Sequence, residues 1–283
     1  MEKKDSRIIQ DVEGRYGTYA QQVIAGEKLP FNADGTAPKT GQPAESLAER
    51  LYTDVQLMDL PDSIVGASIG CGNPIALTSL KPGEYVLDLG SGGGIDCFMA
   101  AKTVGANGYV IGVDATPSMI ALANQNKQKM EVQNVEFRLG QIEKLPVADN
   151  TIDLVISNCV IDISADKPAV FSEAYRVLKP SGRIAITDTV VCGEIPAKLK
   201  ANIDVWAGAV ITPLISLTDF LQLMTAAGFI DIEVQSLTSY GLENFDELGA
   251  DSKKILTEGV EWTPLPANTG LYSASITARK HAP

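Results

Sequence analysis

The residues of this chain best suited to covalent or coordination chemistry are its four cysteines, at 71, 97, 159 and 192. The lone histidine, His281, stands two residues from the end, which removes His-based triads and most His-ligated metal sites. The cysteines are scattered, matching neither a disulfide scaffold nor a paired CxxC zinc pattern. Each thiol is therefore a nucleophile, a soft ligand or a small buried hydrophobe according to its setting. Cys159 has the most telling one. It stands within the run "VISNCVID", 155–162, where a buried-strand pattern gives way to an amide, Asn158, a thiol, and an acid, Asp162.

The second chemical feature is "DLGSGGG", 88–94. Gly90, Gly92 and Gly94 leave out side chains where backbone must approach a ligand, and the helix that follows offers unpaired N–H groups to the same space. A nucleotide-like ligand at the end of the first strand is the expectation. The dehydrogenase fingerprint G-x-G-x-x-G is not met, since Ile95 or Cys97 stands where the third glycine is needed, depending on the starting glycine. Asp114, closing the next strand, is spaced to accept from both ribose hydroxyls of an adenosine. Asp88 is a carboxylate that suits the amino-acid end of a ligand and would repel a pyrophosphate.

Such residues need a frame. From residue 84 onward, short β-branched runs alternate with helical stretches, the pattern of βαβ units and a parallel sheet. The expected strands are "YVLDL", "YVIGVD", "VEFRLG", "IDLVISN", "RIAITDT", "IDIEVQSL" and "LYSASITARK". Between them, "TPSMIALANQNKQKM" begins with Thr116 as N-cap and Pro117 in the first turn, and "KPAVFSEAYRVLKPSG" closes on Pro and Gly. Before the sheet, helices are expected over 6–26 and over "AESLAERLYTDVQLM", with a loop at 27–43. An inserted helical segment is expected from about 240 to 268.

Composition bounds the function. With 283 residues, 45% of them hydrophobic, the chain can bury a core as one large domain or a domain with an appendage. The 23 Lys and Arg against 35 Asp and Glu give a net charge of -12 with no basic stripe, so nucleic acid is not an expected partner. The start "MEKKDSRIIQD" lacks an apolar h-region, and no run approaches the roughly 18 apolar residues of a membrane span. A cytoplasmic protein with no membrane partner is the expectation.

Three stretches, "GCGNP" at 70–74, "VLDLGSGGGIDCF" at 86–98 and "VISNCVIDIS" at 155–164, resemble the arsenite S-adenosylmethionine methyltransferases, within the class I methyltransferases. The similarity spans about residues 65–190, with "AAGFIDIEV" and "LYSASITARK" fitting more loosely. It implies a Rossmann-like α/β fold: a mostly parallel seven-stranded sheet with helices on both faces. The implied organisation is an N-terminal helical lid over 1–65, a cofactor-binding core over 66–190, and a C-terminal part, 191–283, that completes the sheet and acceptor pocket. The implied cofactor is S-adenosylmethionine, held by Asp88, Gly90, Gly92, Gly94, Asp114 and Ala115. Ile142 is an apolar wall and Glu143 a polar neighbour of the adenine, Asn158 stands beside the methyl group, and Tyr16 is an aromatic cover.

By motif position Cys71 and Cys159 match two of the family's arsenic-binding cysteines, both with catalytic roles. A soft trivalent arsenic exchanges its hydroxide or thiol ligands for cysteine thiolates and keeps its lone pair exposed. The family's third cysteine is absent, because "DVWAGAV" puts Val205 in its place, and Cys192 is a candidate substitute. Cys97 is expected to be core packing, as are Trp206 and Trp262, which can alternatively line the acceptor side. Asn158 either orients the acceptor or holds backbone at the strand end, and Asp162 stands at the pocket edge or serves structure alone. The implied partners are a trivalent arsenical, free or as a thiol conjugate, and a thiol reductant, with a Cys71–Cys159 disulfide as one way to pass two electrons. Two rivals stay open: methylation of a small organic acceptor at carbon, oxygen or sulfur, and a non-catalytic sensor of arsenite or cofactor.

Overall fold

The structure is a computed structural model that describes residues 14, 16–25, 48, 51–194, 214–239 and 269–282. Seven strands form one sheet in the order β3-β2-β1-β4-β5-β7-β6. They are β1 (Tyr85–Leu89), β2 (Tyr109–Asp114), β3 (Val135–Leu139), β4 (Ile152–Asn158), β5 (Leu178–Cys192), β6 (Phe229–Ser239) and β7 (Gly270–Lys280). β1 to β5 are parallel, and β7 inserts antiparallel between β5 and β6. The order reverses between β1 and β4, so the crevice of an open α/β sheet lies beyond their carboxyl ends.

Side-chain alternation sends the two faces of each strand into separate cores. Leu87, Leu89, Val155, Ile184 and Ile186 join Phe171 and Phe220, from helices Lys167–Val177 and Leu217–Ala226, on one face. Val86, Val110, Leu154, Ile156 and Ala185 join Phe98 and Met99, from helix Ile95–Val104, on the other. Complete burial of a side chain such as Leu87 or Phe171 stabilises by about 1.5–3 kcal/mol, so the strands bearing the site are anchored from both sides.

Local details depart from the sequence expectation in instructive ways. The helix expected through "AESLAERLYTDVQLM" breaks at Tyr52 and Thr53. Thr53 caps the short helix Asp54–Leu57 through a capping box with Gln56, while Tyr52 turns inward and is 4% exposed. Thr116 does precede the helix Pro117–Lys129, but its side chain makes no cap bond. The helix through Lys167 stops at Val177, and "LKPSG" already belongs to β5, with the register shifting between Ile152 and Leu154. Residues 16–24 are helical; the 27–43 loop, the 240–268 segment, Val205, Trp206 and Trp262 lie outside the described residues.

Candidate active site

At the carboxyl ends of β1, β2 and β4 lies a cavity of about 320 Å³, within the roughly 300–1,000 Å³ typical of small-molecule sites. Its walls include Tyr16, Asp88, Gly90, Gly92, Asp96, Asp114, Ala115, Ile142, Glu143, Asn158 and Cys159. The glycine loop is folded onto the next strand: Gly90 N and Ser91 N both donate to Val113 O, at 2.8 and 3.0 Å. Asp114 ties the loop to the following helix, accepting from Gly92 N at 2.9 Å and Thr116 N at 2.8 Å. Burial raises its pKa while those bonds pull it back.

The three glycines divide. Gly92 has φ +50° and nothing within 4 Å of where a Cβ would stand, so its absent side chain keeps ligand space open. At Gly90 an added Cβ would come within 2.6 Å of Val160. Gly94 is not in the cavity wall: at φ +96° it seats the helix, and a Cβ there would press on Phe98 and Phe137 at 2.7 and 2.8 Å.

Below the loop two buried acids lie together. Asp88 is pushed well above the usual carboxylate range, first by burial and then by the charge of Asp96. Asp96 is raised to about 6 by burial, against hydrogen bonds from Asn158 and Tyr52. Tyr52 Oη donates to both Asp96 oxygens, at 3.0 and 3.1 Å. Cys97, expected as filler, is buried and also donates its thiol to Asp88 Oδ2 at 3.2 Å. No cation among the described residues offsets either acid, which leaves a floor of two buried carboxyls that a cationic ligand would draw into the ionised form.

The rim carries Ile142, nearly buried, and Glu143, which accepts a hydrogen bond from Ser164. Tyr16 packs with Tyr19, Ala20, Val23, Ala67, Met119 and Leu122, bringing the N-terminal helix against the helix that follows Asp114.

On the opposite side stands the thiol pair. Cys159, just past β4, has φ +58°, a left-handed conformation rare for a residue with a side chain, and its N–H donates to Thr187 O at 2.8 Å. The Cys159 thiol lies 3.5 Å from Thr189 Oγ1, and the neighbouring Cys71 thiol, with burial and the nearby Asp162 and Asp188, pushes the Cys159 pKa well up. Ligand atoms of Cys159, Asp162 and Asp188 all lie within 4.8 Å of one another. Cys192 is not brought to the pair: it packs beside the larger core, five positions beyond Thr187 on β5, about 16 Å along an extended strand. All four cysteines are free thiols.

The sequence reading overlooked Tyr52, Asp96, Thr187 and Ser273. Asp96 was visible as an acid two residues past the glycine loop, and the glycines of "GCG" hinted at a crowded turn; Tyr52, Thr187 and Ser273 carried no local signal.

The methyltransferase domain family model matches residues 80–248. The crystal structure of an arsenic (III) S-adenosylmethionine methyltransferase from Chlamydomonas reinhardtii aligns with TM-score 0.60 and 32% identity, covering 81% of this chain and 73% of that one. The chain belongs to the arsenite methyltransferase family. A curated arsenite methyltransferase of Halobacterium salinarum is 46% identical over 189 residues, 66% of this chain and 48% of that protein. Another, from Aquipseudomonas alcaligenes, is 39% identical over 232 residues, 75% of this chain and 66% of that protein. The chain thus spans about half to two thirds of the length of these curated relatives. The family's cofactor is S-adenosylmethionine, and the glycine cradle, the acid closing β2 and the floor of buried acids fit a cationic adenosine ligand. Among the described residues no helix is long and apolar enough to cross a membrane.

Proposed function

We propose that this protein transfers methyl groups from S-adenosylmethionine to trivalent arsenic bound by Cys71 and Cys159. The observation that carries the reading is the thiol pair itself, two cysteines far apart in sequence brought near each other, Cys159 in the wall of the glycine-loop cavity and Cys71 next to Gly70 of that wall. When bound, S-adenosylmethionine supplies an electrophilic methyl group. In this reading Asp114 takes the ribose hydroxyls, Gly90 and Gly92 give the backbone room, Asp88 and Asp96 face the cofactor's positive groups, and Ala115, Ile142, Glu143 and Tyr16 enclose the adenosine.

The protonated state of Cys159 suits arsenous acid. Two thiols displace two hydroxides, and each thiol proton leaves with a hydroxide as water, so the exchange needs no external base. The arsenic so held has one position left for an external thiol or hydroxide, which accommodates a thiol-conjugated substrate and the valine at 205. Its lone pair has no proton to lose, consistent with a chain almost free of histidine. A small-molecule thiol is the proposed reductant that returns a pentavalent methylated product to the trivalent state.

The test is an end-point assay of reduced protein with S-adenosylmethionine, glutathione and arsenite, the products being separated with arsenic-specific detection. Methylated arsenic is expected from the wild type, falling by about 10²-fold or more in Cys159→Ser, as when one member of a cooperating set is removed. Cofactor binding without any methylated arsenic would refute the assignment and favour another acceptor or a sensor.

A further inference from the structure

A dithiol site works only if its two sulfurs are held at a chelating separation, and here they sit on two loops that share no element. We infer that Asn158 is the positioning residue that sets the separation of Cys71 and Cys159, clamping the Gly70–Cys71–Gly72 turn to the end of β4 with Thr187 and Ser273 as further holds. This rests on the arsenic reading and deepens it.

The Asn158 amide is engaged on both ends. Its Oδ1 accepts from Cys71 N at 2.9 Å, Gly72 N at 3.2 Å and Thr187 Oγ1 at 2.9 Å. Its Nδ2 faces Gly72 O at 2.8 Å, Tyr52 Oη at 3.0 Å and Asp96 Oδ2 at 3.2 Å. Two backbone donors on one side and a carbonyl and a carboxylate on the other fix which end is oxygen. An aspartate would meet Gly72 O and Asp96 with charge, and an aliphatic residue would strand every partner, so the position demands an amide.

The other end of the Cys71 peptide is held as well. Ser273 Oγ, on β7, donates to Cys71 O at 2.8 Å. Cys71 thus has its N–H and its carbonyl tied to side chains 87 and 202 positions away. The flanking glycines let the turn lie this close: a Cβ at Gly70 would stand 2.4 Å from Asn158 Nδ2, and one at Gly72 2.7 Å from Thr187 Cβ. Thr187 serves both cysteines, its carbonyl taking Cys159 N–H and its hydroxyl bonding Asn158. With both backbones pinned, the separation of the thiols depends chiefly on side-chain rotation. Asn158 also reaches Asp96 and Tyr52, so one amide spans the acceptor and cofactor sides.

The probe is phenylarsine oxide, whose arsenic keeps one carbon bond and exchanges its oxygen for two thiols. Its affinity for wild type, Asn158→Ala, Thr187→Val, Ser273→Ala and Cys71→Ser is measured by competition with a small dithiol, alongside S-adenosylmethionine affinity by equilibrium dialysis. Asn158→Ala should weaken the arsenical by about 10²-fold, approaching Cys71→Ser, because the second thiol no longer acts at a high effective concentration. Thr187→Val and Ser273→Ala, which lie outside the cavity wall, should each weaken it by up to about tenfold while cofactor affinity moves by about threefold or less. Should Asn158→Ala fail to fold, these two decide. If every clamp variant that folds chelates as tightly as wild type, or loses both affinities in parallel, the inference is overturned. A wild type that binds no more tightly than Cys71→Ser would overturn the dithiol reading itself.

Discussion

The two sides of the cavity are assembled over very different lengths of chain. On the glycine-loop side, Cys97 reaches Asp88 across 9 positions and Gly92 reaches Asp114 across 22. On the thiol side, Cys71 is held by Asn158 across 87 and by Ser273 across 202. The first is one βαβ unit whose contacts form as the unit forms. The second is complete only once β4 and β5 have met the 70–72 turn and β7 has paired with β5, where Thr187 lies opposite Ser275 and Thr189 opposite Ser273. Short-range contacts cost little loop-closure entropy and long-range ones cost more, so the thiol side is the later of the two to assemble.

The largest expected disruption falls on the glycine-loop side, because its parts are close-packed. Gly94→Ala forces a Cβ into two rings at a backbone angle that L residues avoid. Strain and overpacking together should cost about 3 kcal/mol, read from the denaturant midpoint. Gly92→Ala carries only the conformational cost, about 1–2 kcal/mol, yet should weaken S-adenosylmethionine, since its methyl enters ligand space. Equal destabilisation by the two would mean that Gly92 is structural like Gly94, and the contrast between seat and wall would fail.

A second test sharpens the comparison at the acid floor joining the two sides. Asp96 loses its proton near pH 3.9 in the unfolded chain and near 6 when folded. Between those values the folded form binds more protons, so this group's contribution makes stability fall as pH rises through the window, and it stays lost above pH 6. Asp96→Asn should therefore melt like wild type near pH 4 and gain on it up to pH 6–7, by about 2–3 kcal/mol if Tyr52 and Asn158 keep their bonds. Affinity for a cationic cofactor should run the opposite way, rising as Asp96 ionises through pH 6 and flattening in the variant. An affinity independent of pH from 5 to 7 in the wild type would remove Asp96 from the cofactor side.

The same contrast explains what was legible in the sequence. Strand positions were readable because apolar β-branched runs and glycine punctuation are local; "IDLVISN" and "YVIGVD" match β4 and β2 residue for residue. Gly90, Gly92 and Asp114 were readable for the same reason, as parts of one unit. Cys71 and Cys159 could be nominated from their surroundings, but their proximity could not, since it depends on strand order. Ser273 looks like any serine of an alternating strand, and Tyr52 like one turn of an amphipathic helix; each acquires its role from a partner the one-dimensional pattern does not name. Cys97 shows the converse: its apolar context predicted burial correctly, while its bond to Asp88 required both side chains to be seen.

The smallest effect expected is also the one that most directly separates folding from function on the thiol side. Cys159 holds φ +58° while its N–H is tied to Thr187 O, so the left-handed conformation is imposed by the strand end. A left-handed backbone costs a residue with a Cβ roughly 1–2 kcal/mol and glycine almost nothing. Cys159→Gly and Cys159→Ala both delete the thiol, but only the first relieves the strain. Thermal or chemical denaturation should find the glycine variant more stable by about 1 kcal/mol, reduced from the full strain by glycine's freer unfolded chain. Both should lose arsenical chelation equally. An alanine variant as stable as the glycine one would mean that the turn at 159 relaxes once the thiol is gone, so that the neighbouring Cys71, rather than the strand end, holds the strained angle.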